Sequence, residues 1–120
     1  MCYFGEDVDI YDAEGKVTSH SGAWRADGQT NLPGVLMPAS PEVGTAFQQE
    51  VAPGIAEDQA KVVELGDSTT VPAGTFTDTV SLVEINPLEG GRGDTKVYAR
   101  GIGIIVDGPA KLTSYSAQSG

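Results

Sequence analysis

The feature of this sequence that most limits its fold is a turn signal between two runs of strand-forming residues. The turn is Val71-Pro72-Ala73-Gly74, with Pro in the second position and Gly in the fourth position of a type I turn. The runs on either side, "KVVELGDSTT" and "TFTDTVSLVEI", are rich in Val and Thr, which favour strands. The pattern predicts a hairpin whose second, long strand begins at Thr75.

The second strand of this hairpin changes its buried face midway. Phe76, Val80 and Leu82 share one face, whereas Val83 and Ile85 lie on the other. A β-bulge or a strong curl produces such a change. In the following strand, "TKVYARGIGIIVDG", the alternation places the apolar residues of one face at Ile102, Ile104 and Val106.

Three earlier segments complete the pattern. The stretch "DAEGK" predicts a hairpin turn with Asp12 bonding the backbone and Gly15 at positive φ. The segment Arg25–Gly44 is a long connection rich in Pro and Gly, anchored by 35–37. For Ala56–Leu65 both a helix and a strand fit, and we favour a strand from about Ala60.

Together these elements predict an all-β protein. We expect a strongly curved antiparallel sheet or half-barrel with at most one short helix. A chain of 120 residues fits one domain. We assign that domain to residues 1–115 and expect 116–120 to be a disordered tail.

The charge balance disfavours several classes of partner. Seventeen acidic residues against seven basic ones give a net charge of −10, which repels nucleic acids and anionic membranes. The sequence contains no run long enough to span a bilayer and no signal-peptide pattern, so we expect a soluble chain without membrane insertion. Cys2 is the only cysteine and cannot form an intrachain disulfide. We predict no cofactor.

None of the polar motifs matches the pattern of a catalytic or metal-binding site. The acidic run from Glu6 to Glu14 lacks the order of an EF-hand loop, so no metal site is predicted. Adjacent Glu57 and Asp58 would point to opposite faces of a strand, and His20 is the only histidine. The tripeptide "RGD" at 92–94 is explained by turn chemistry. No catalytic residue is predicted.

We therefore predict a non-enzymatic binding module. Its concave sheet face would hold a small apolar ligand or a partner protein, because an uncovered apolar face must be buried against something. The aromatic residues assigned to that face are Tyr3, Trp24, Phe47, Phe76 and Tyr98. The alternative is a carboxylate-dependent hydrolase that uses Glu57, Asp58 and His20.

Four segments, "YFGED", "LMPASPEVG", "EDQAKVVELGDSTTVPAGTFTD" and "KVYARGIGIIV", resemble in order and spacing a group of uncharacterised bacterial extracytoplasmic proteins and lipoproteins. The resemblance implies a curved sheet similar to lipoprotein-carrier half-barrels, with no catalytic residue to transfer. It also implies extracytoplasmic relatives with further strands before Tyr3, and a truncated member of the kind that a gene cassette (integron) carries.

The missing strands predict self-association. The strand from Tyr3 to Ile10 would then have unpaired backbone groups along one side, which is a template for another strand. Pairing of two identical edges is isologous and closes as a two-fold homodimer. Asp7 and Asp9 oppose this pairing, because charges on an edge strand keep it single.

Overall fold

A computed structural model describes residues 1–91 and 93–116 and consists mainly of strands. Strands hold 51% of the residues and helical turns 3%, and no sheet closes into a barrel. The helical part is one 3₁₀ turn, Pro87–Glu89. The prediction of an all-β fold with a curved antiparallel sheet is confirmed. Within the described residues no helix is long and apolar enough to cross a membrane.

The residues group into two compact units. Unit 1 comprises Met1–Ser40, Phe47–Ala60 and Ile85–Arg92, and unit 2 comprises Pro41–Ala46, Lys61–Glu84 and Gly93–Gly120. The single domain over 1–115 stays a prediction. Of the predicted tail, Ser116 has no regular secondary structure, and 117–120 lie outside the described residues.

Six short strands form three two-stranded antiparallel sheets. They are β1 Cys2–Tyr3, β2 Gly5–Glu6, β3 Ile10–Tyr11, β4 Val17–Ser19, β5 Trp24–Arg25 and β6 Gly34–Val35. The pairs are β1 with β6, β2 with β5, and β3 with β4. The prediction of one continuous strand from Tyr3 to Ile10 is wrong, because the segment divides into three strands with different partners.

The remaining strands form one six-stranded sheet. They are β7 Ala46–Gln48, β8 Gln59–Val71, β9 Gly74–Ile85, β10 Gly93–Ala99, β11 Gly103–Asp107 and β12 Ala110–Lys111. Their order in the sheet is β12-β11-β10-β9-β8-β7, so each strand lies beside its neighbour in the sequence. The turn at Pro72 and Ala73 between β8 and β9 is confirmed. The ambiguous segment enters β8 at Gln59 and is a strand.

The predicted turn at "DAEGK" is also confirmed. The carboxylate of Asp12 accepts from the N–H groups of Glu14 at 3.0 Å and Lys16 at 2.9 Å, and Gly15 has a φ of 80°. An Asp in this position satisfies two backbone donors that the turn leaves without a strand partner. These bonds join β3 to β4.

The middle of the long connection 25–44 is hydrogen-bonded to the N-terminal strand. Its strand β6 pairs with β1, and the N–H of Leu36 donates to the carbonyl of Met1 at 2.8 Å. Leu36 and Met37 are half-buried as the anchor requires, whereas Val35 is exposed.

An irregularity interrupts β9, but it lies between Phe76 and Val80 and not between Leu82 and Val83, where the sequence predicts the change of face. Asp78 has a φ of 57°, the only positive φ of a non-glycine residue among those described. A residue in this conformation interrupts the regular alternation of a strand. Leu82, beyond the interruption, is fully buried at 0% exposure.

The alternation predicted for β11 is wrong. Ile102 and Ile104 are 37% and 38% exposed, whereas Val106 packs against the buried cluster that contains Ile105, itself 1% exposed. The register of β10 against β11 shifts between Val97 and Tyr98, which inserts an extra residue opposite β10. The bulge turns Ile105 inward, and a two-residue period cannot anticipate it.

Each unit has its own small core. In unit 2 the buried cluster consists of Val71, Val97, Ala99 and Ile105, with Phe76 packed against it. In unit 1 the cluster consists of Trp24, Ala52 and Ala56, with Tyr3 and Ala26 packed against it.

Candidate functional site

The candidate site lies in unit 1, where an aromatic pair meets one buried carboxyl group, that of Glu50. The ring of Tyr3 packs edge-on against the indole of Trp24, with 5.4 Å between ring centroids and 82° between their planes. This T-shaped arrangement is a favoured geometry for aromatic rings. Trp24 is 4% exposed, whereas Tyr3 is only half-buried. Tyr3 therefore forms the accessible side of the pair.

Backbone contacts on glycine bring the strands of this site together. A Cβ on Gly5 would fall on the carbonyl oxygen of Trp24, so β2 can approach β5 only without a side chain there. Gly5 also has a φ of 136°, which L-residues rarely adopt. A Cβ on Gly34 would fall on the carbonyl oxygen of Gln49. These two glycines position β1, β2 and the segment at Glu50.

The hydroxyl of Tyr3 is hydrogen-bonded to a carboxylate. It donates to Oε2 of Glu6 at 2.7 Å. Burial, followed by the hydrogen bond to Glu6 and its negative charge, holds the pKa of Tyr3 well above its usual range. Tyr3 therefore stays a neutral phenol at any pH at which the protein works.

The second acidic group of the site is Glu50, which is 7% exposed. Its Oε2 accepts from the N–H of Asp58 at 3.3 Å. Burial and the neighbouring charge of Asp58 raise the pKa of Glu50 to about 7, although the Asp58 N–H and the Trp24 indole act in the opposite direction. Near neutral pH this carboxyl gains or loses a proton.

The indole N–H of Trp24 lies near the Glu50 carboxyl. The indole nitrogen is buried and has no hydrogen bond of good geometry, yet it lies close enough to lower the pKa of Glu50. The site thus combines a half-exposed aromatic ring, a buried indole N–H and a carboxyl that is largely uncharged below pH 7. Such an environment suits an apolar or weakly polar group.

Of the predicted ligand-binding residues, Tyr3 and Trp24 are brought together, and the others lie elsewhere. Phe47 is half-buried on β7 in unit 1. Phe76 packs on the core of unit 2 and on Tyr115, with 5.8 Å between ring centroids. Tyr98 lies on β10, and burial raises its pKa. Phe76 and Tyr98 both belong to unit 2.

Two residues of the alternative hydrolase site, His20 and Asp58, have other partners. His20 is exposed, and its Nδ1 lies 2.8 Å from the carbonyl of Val8 and 3.0 Å from the carboxylate of Asp9. Asp58 is instead beside Glu50. Among the residues described, no three His, Cys, Asp or Glu side chains are placed to hold a metal ion. Arg92 of "RGD" lies outside the described residues.

Sequence reasoning missed Glu50. It follows β7 in a polar stretch, "FQQEVAPG", where nothing distinguishes a buried carboxyl from a solvated one. Its burial results from pairing with Asp58, eight residues away, which the turn at 52–56 makes possible.

The chain was compared with protein-family models, curated proteins and solved structures, and none of them matches it.

Proposed function

We propose that the protein is a non-enzymatic binding module that takes a small apolar ligand beside Tyr3 and Trp24 in unit 1. The observation that carries this proposal is the half-exposed Tyr3 ring standing edge-on against a buried tryptophan. Aromatic side chains in such positions supply most of the contact energy of small-ligand sites.

The distribution of apolar side chains supports a binding role. Among the described residues, sixteen large hydrophobic side chains are exposed, whereas the buried hydrophobic residues number ten and include four alanines. Phe4, next to Tyr3 in the chain, is 63% exposed. Contiguous apolar surface commonly marks binding sites, and Phe4 adds an exposed apolar side chain beside Tyr3 in the sequence.

The test uses Trp24, the only tryptophan, as a built-in reporter of the site. The neutral dye N-phenyl-1-naphthylamine, which accepts energy from tryptophan, is titrated into the protein. We expect saturable quenching of Trp24 emission. The Tyr3→Ala variant should weaken the affinity about tenfold or more, because the accessible ring is lost.

The matched control is Tyr98→Ala, which removes a half-buried tyrosine of unit 2 and should leave the affinity unchanged. Quenching that rises linearly without saturation would overturn the proposal. Equal loss of affinity in both variants would place the ligand elsewhere.

A second candidate function is a carboxylate-dependent hydrolase, now centred on Glu50. The raised pKa of this carboxyl favours it, because a general acid acts best with a pKa near the working pH. Asp58 would be the neighbouring carboxylate. A broad panel of esters and glycosides tests this candidate. Hydrolysis that disappears in Glu50→Gln would support it, and absence of activity in the parent protein would favour the binding module.

We also propose that the chain is a gene-cassette relative of the extracytoplasmic proteins and lipoproteins that it resembles. The homodimer is likewise a proposal. The strands within Tyr3–Ile10 are two residues long, and such short edges are poorer templates for pairing than one continuous strand.

A further inference from the structure

The strand β8 has an open edge over half of its length. It has 13 residues, whereas β7, its neighbour on the outer side, has three. The last bonds on that side involve Val62, whose N–H donates to Thr45 at 2.9 Å and whose carbonyl accepts from Gly44 at 2.8 Å. No described strand lies beside β8 on this side from Glu64 onward.

Side chains leave this edge accessible. All residues from Val63 to Ser68 are exposed. Val63 and Leu65 are 36% and 37% exposed, and as alternate residues they share one face of the strand. An open backbone edge with exposed apolar side chains at its start is a geometry that a partner can use in strand addition.

The negative charge of this edge favours a basic partner segment. Glu64 and Asp67 take part in no ion pair with the described residues, and the protein as a whole carries −10. A second copy would place the same carboxylates on both strands of the pair, which is destabilising. A basic segment would instead neutralise them.

We propose that the edge of β8 from Glu64 to Thr70 binds an extended, basic segment of a partner protein by strand addition. The role is independent of the ligand site in unit 1. Gly66 has a φ of 79° and bends the edge. The added strand must follow that bend, which limits its backbone ladder to a few residues on each side.

The test uses the full chain and fluorescein-labelled heptapeptides in anisotropy titrations. One peptide alternates valine with lysine, and a second alternates valine with glutamate. A third alternates proline with lysine, so it keeps the charge of the first but lacks half of its backbone donors. We expect the valine-lysine peptide to bind about tenfold or more tightly than either of the others. It should also slow amide hydrogen exchange at Glu64.

Two variants locate the binding. Glu64 stands two residues after Val62, so its N–H points to the same open side, and Glu64→Pro removes that donor. Glu64→Lys with Asp67→Lys should lose the basic peptide and gain the acidic one. The matched control, Glu14→Lys with Glu89→Lys, changes the net charge equally at exposed sites outside β8 and should retain binding. If Glu64→Pro fails to fold, the double variant Glu64→Lys with Asp67→Lys tests by itself whether the peptide binds at β8.

Equal binding of the proline-lysine peptide would reduce the effect to nonspecific charge attraction and overturn the proposal. A similar loss in the matched control would do the same. Absence of peptide binding, with β8 amides that become protected only as protein concentration rises, would identify a second copy as the occupant instead.

Discussion

Glu50 and Asp58 are joined by two hydrogen bonds that run in opposite directions. The N–H of Asp58 donates to Oε2 of Glu50 at 3.3 Å, and the N–H of Glu50 donates to the carbonyl of Asp58 at 3.2 Å. The backbone bond holds the two residues together whatever the charge of the Glu50 carboxyl. The side-chain bond is long, so the ionised carboxyl has little compensation for its burial.

The first prediction concerns pH. The pKa of Glu50 rises from 4.5 to about 7 on folding, so the folded protein holds this proton more tightly than the unfolded chain does. The resulting contribution of Glu50 to the unfolding free energy is fully present below pH 4.5 and is lost as the pH rises through 7. The loss is at most roughly 3 kcal/mol of unfolding free energy. Glu50→Gln should abolish this decline, as measured by urea denaturation at pH about 5 and about 8.5. Glu14→Gln, at an exposed turn, should keep it; a decline that persists in Glu50→Gln would contradict the assignment.

The second prediction concerns Lys96, whose ammonium lies 2.7 Å from Oε1 of Glu84, a side chain 8% exposed. Burial opposes the charge of Lys96, but the bond to Glu84 and its negative charge outweigh burial and raise the pKa of Lys96. Lys96→Met would leave a buried carboxylate unpaired and should destabilise the protein by about 3 kcal/mol.

Urea denaturation measures this loss. The double variant Lys96→Met with Glu84→Leu should recover much of it, because no unpaired charge remains. Lys61→Met on β8, which is exposed, should change the unfolding free energy by less than about 0.5 kcal/mol. Equal effects of the two lysine variants would show that the ion pair contributes nothing specific.

The third prediction concerns Gly34. A methyl group there would overlap the carbonyl oxygen of Gln49, and backbone cannot move aside as a flexible side chain can. Gly34→Ala should therefore destabilise unit 1 by about 1–3 kcal/mol and shift the emission of Trp24. Gly15→Asn adds a larger side chain, but at a φ of 80° with open space around it, and should be tolerated. An unchanged Gly34→Ala protein would mean that β6 lies farther from Gln49.

The fourth prediction concerns Asp78. Its φ of 57° is acceptable for Asp or Gly but strained for a β-branched residue. Asp78→Val should reduce the unfolding free energy by about 1–2 kcal/mol, whereas Asp78→Gly should be close to neutral. Both variants lose the exposed pair with Arg100 at 3.4 Å, so their difference isolates the backbone conformation. Equal stability of the two would indicate a regular strand at this position.

The fifth prediction concerns self-association. If the edge at Tyr3–Ile10 forms a homodimer, sedimentation at micromolar protein should show a dimer that strengthens with salt, because screening weakens the repulsion between two chains of −10 each. Asp7→Asn with Asp9→Asn should tighten it. A monomer at every salt concentration would reject the dimer.

Local chemistry was enough to determine the turns and the fold class. Asp12 and Gly15, and Pro72 and Gly74, specify turns through bonds and φ values confined to a few neighbouring residues, so the sequence predicts them directly. The β-branched runs on both sides of Pro72 leave strands as the consistent choice. The position of the interruption in β9 could not be predicted in this way, because Asp78 precedes the change of apolar face that the sequence indicates between Leu82 and Val83.

Only the tertiary structure decided the register and the site. The bulge opposite Val97 and Tyr98 turned Ile105 inward instead of Ile104, because an extra residue reverses alternation without any local signal. Tyr3 meets Trp24 through pairing of strands far apart in the sequence. Glu50 acquires its raised pKa from burial and from Asp58, which are properties of the folded surroundings and not of the residue.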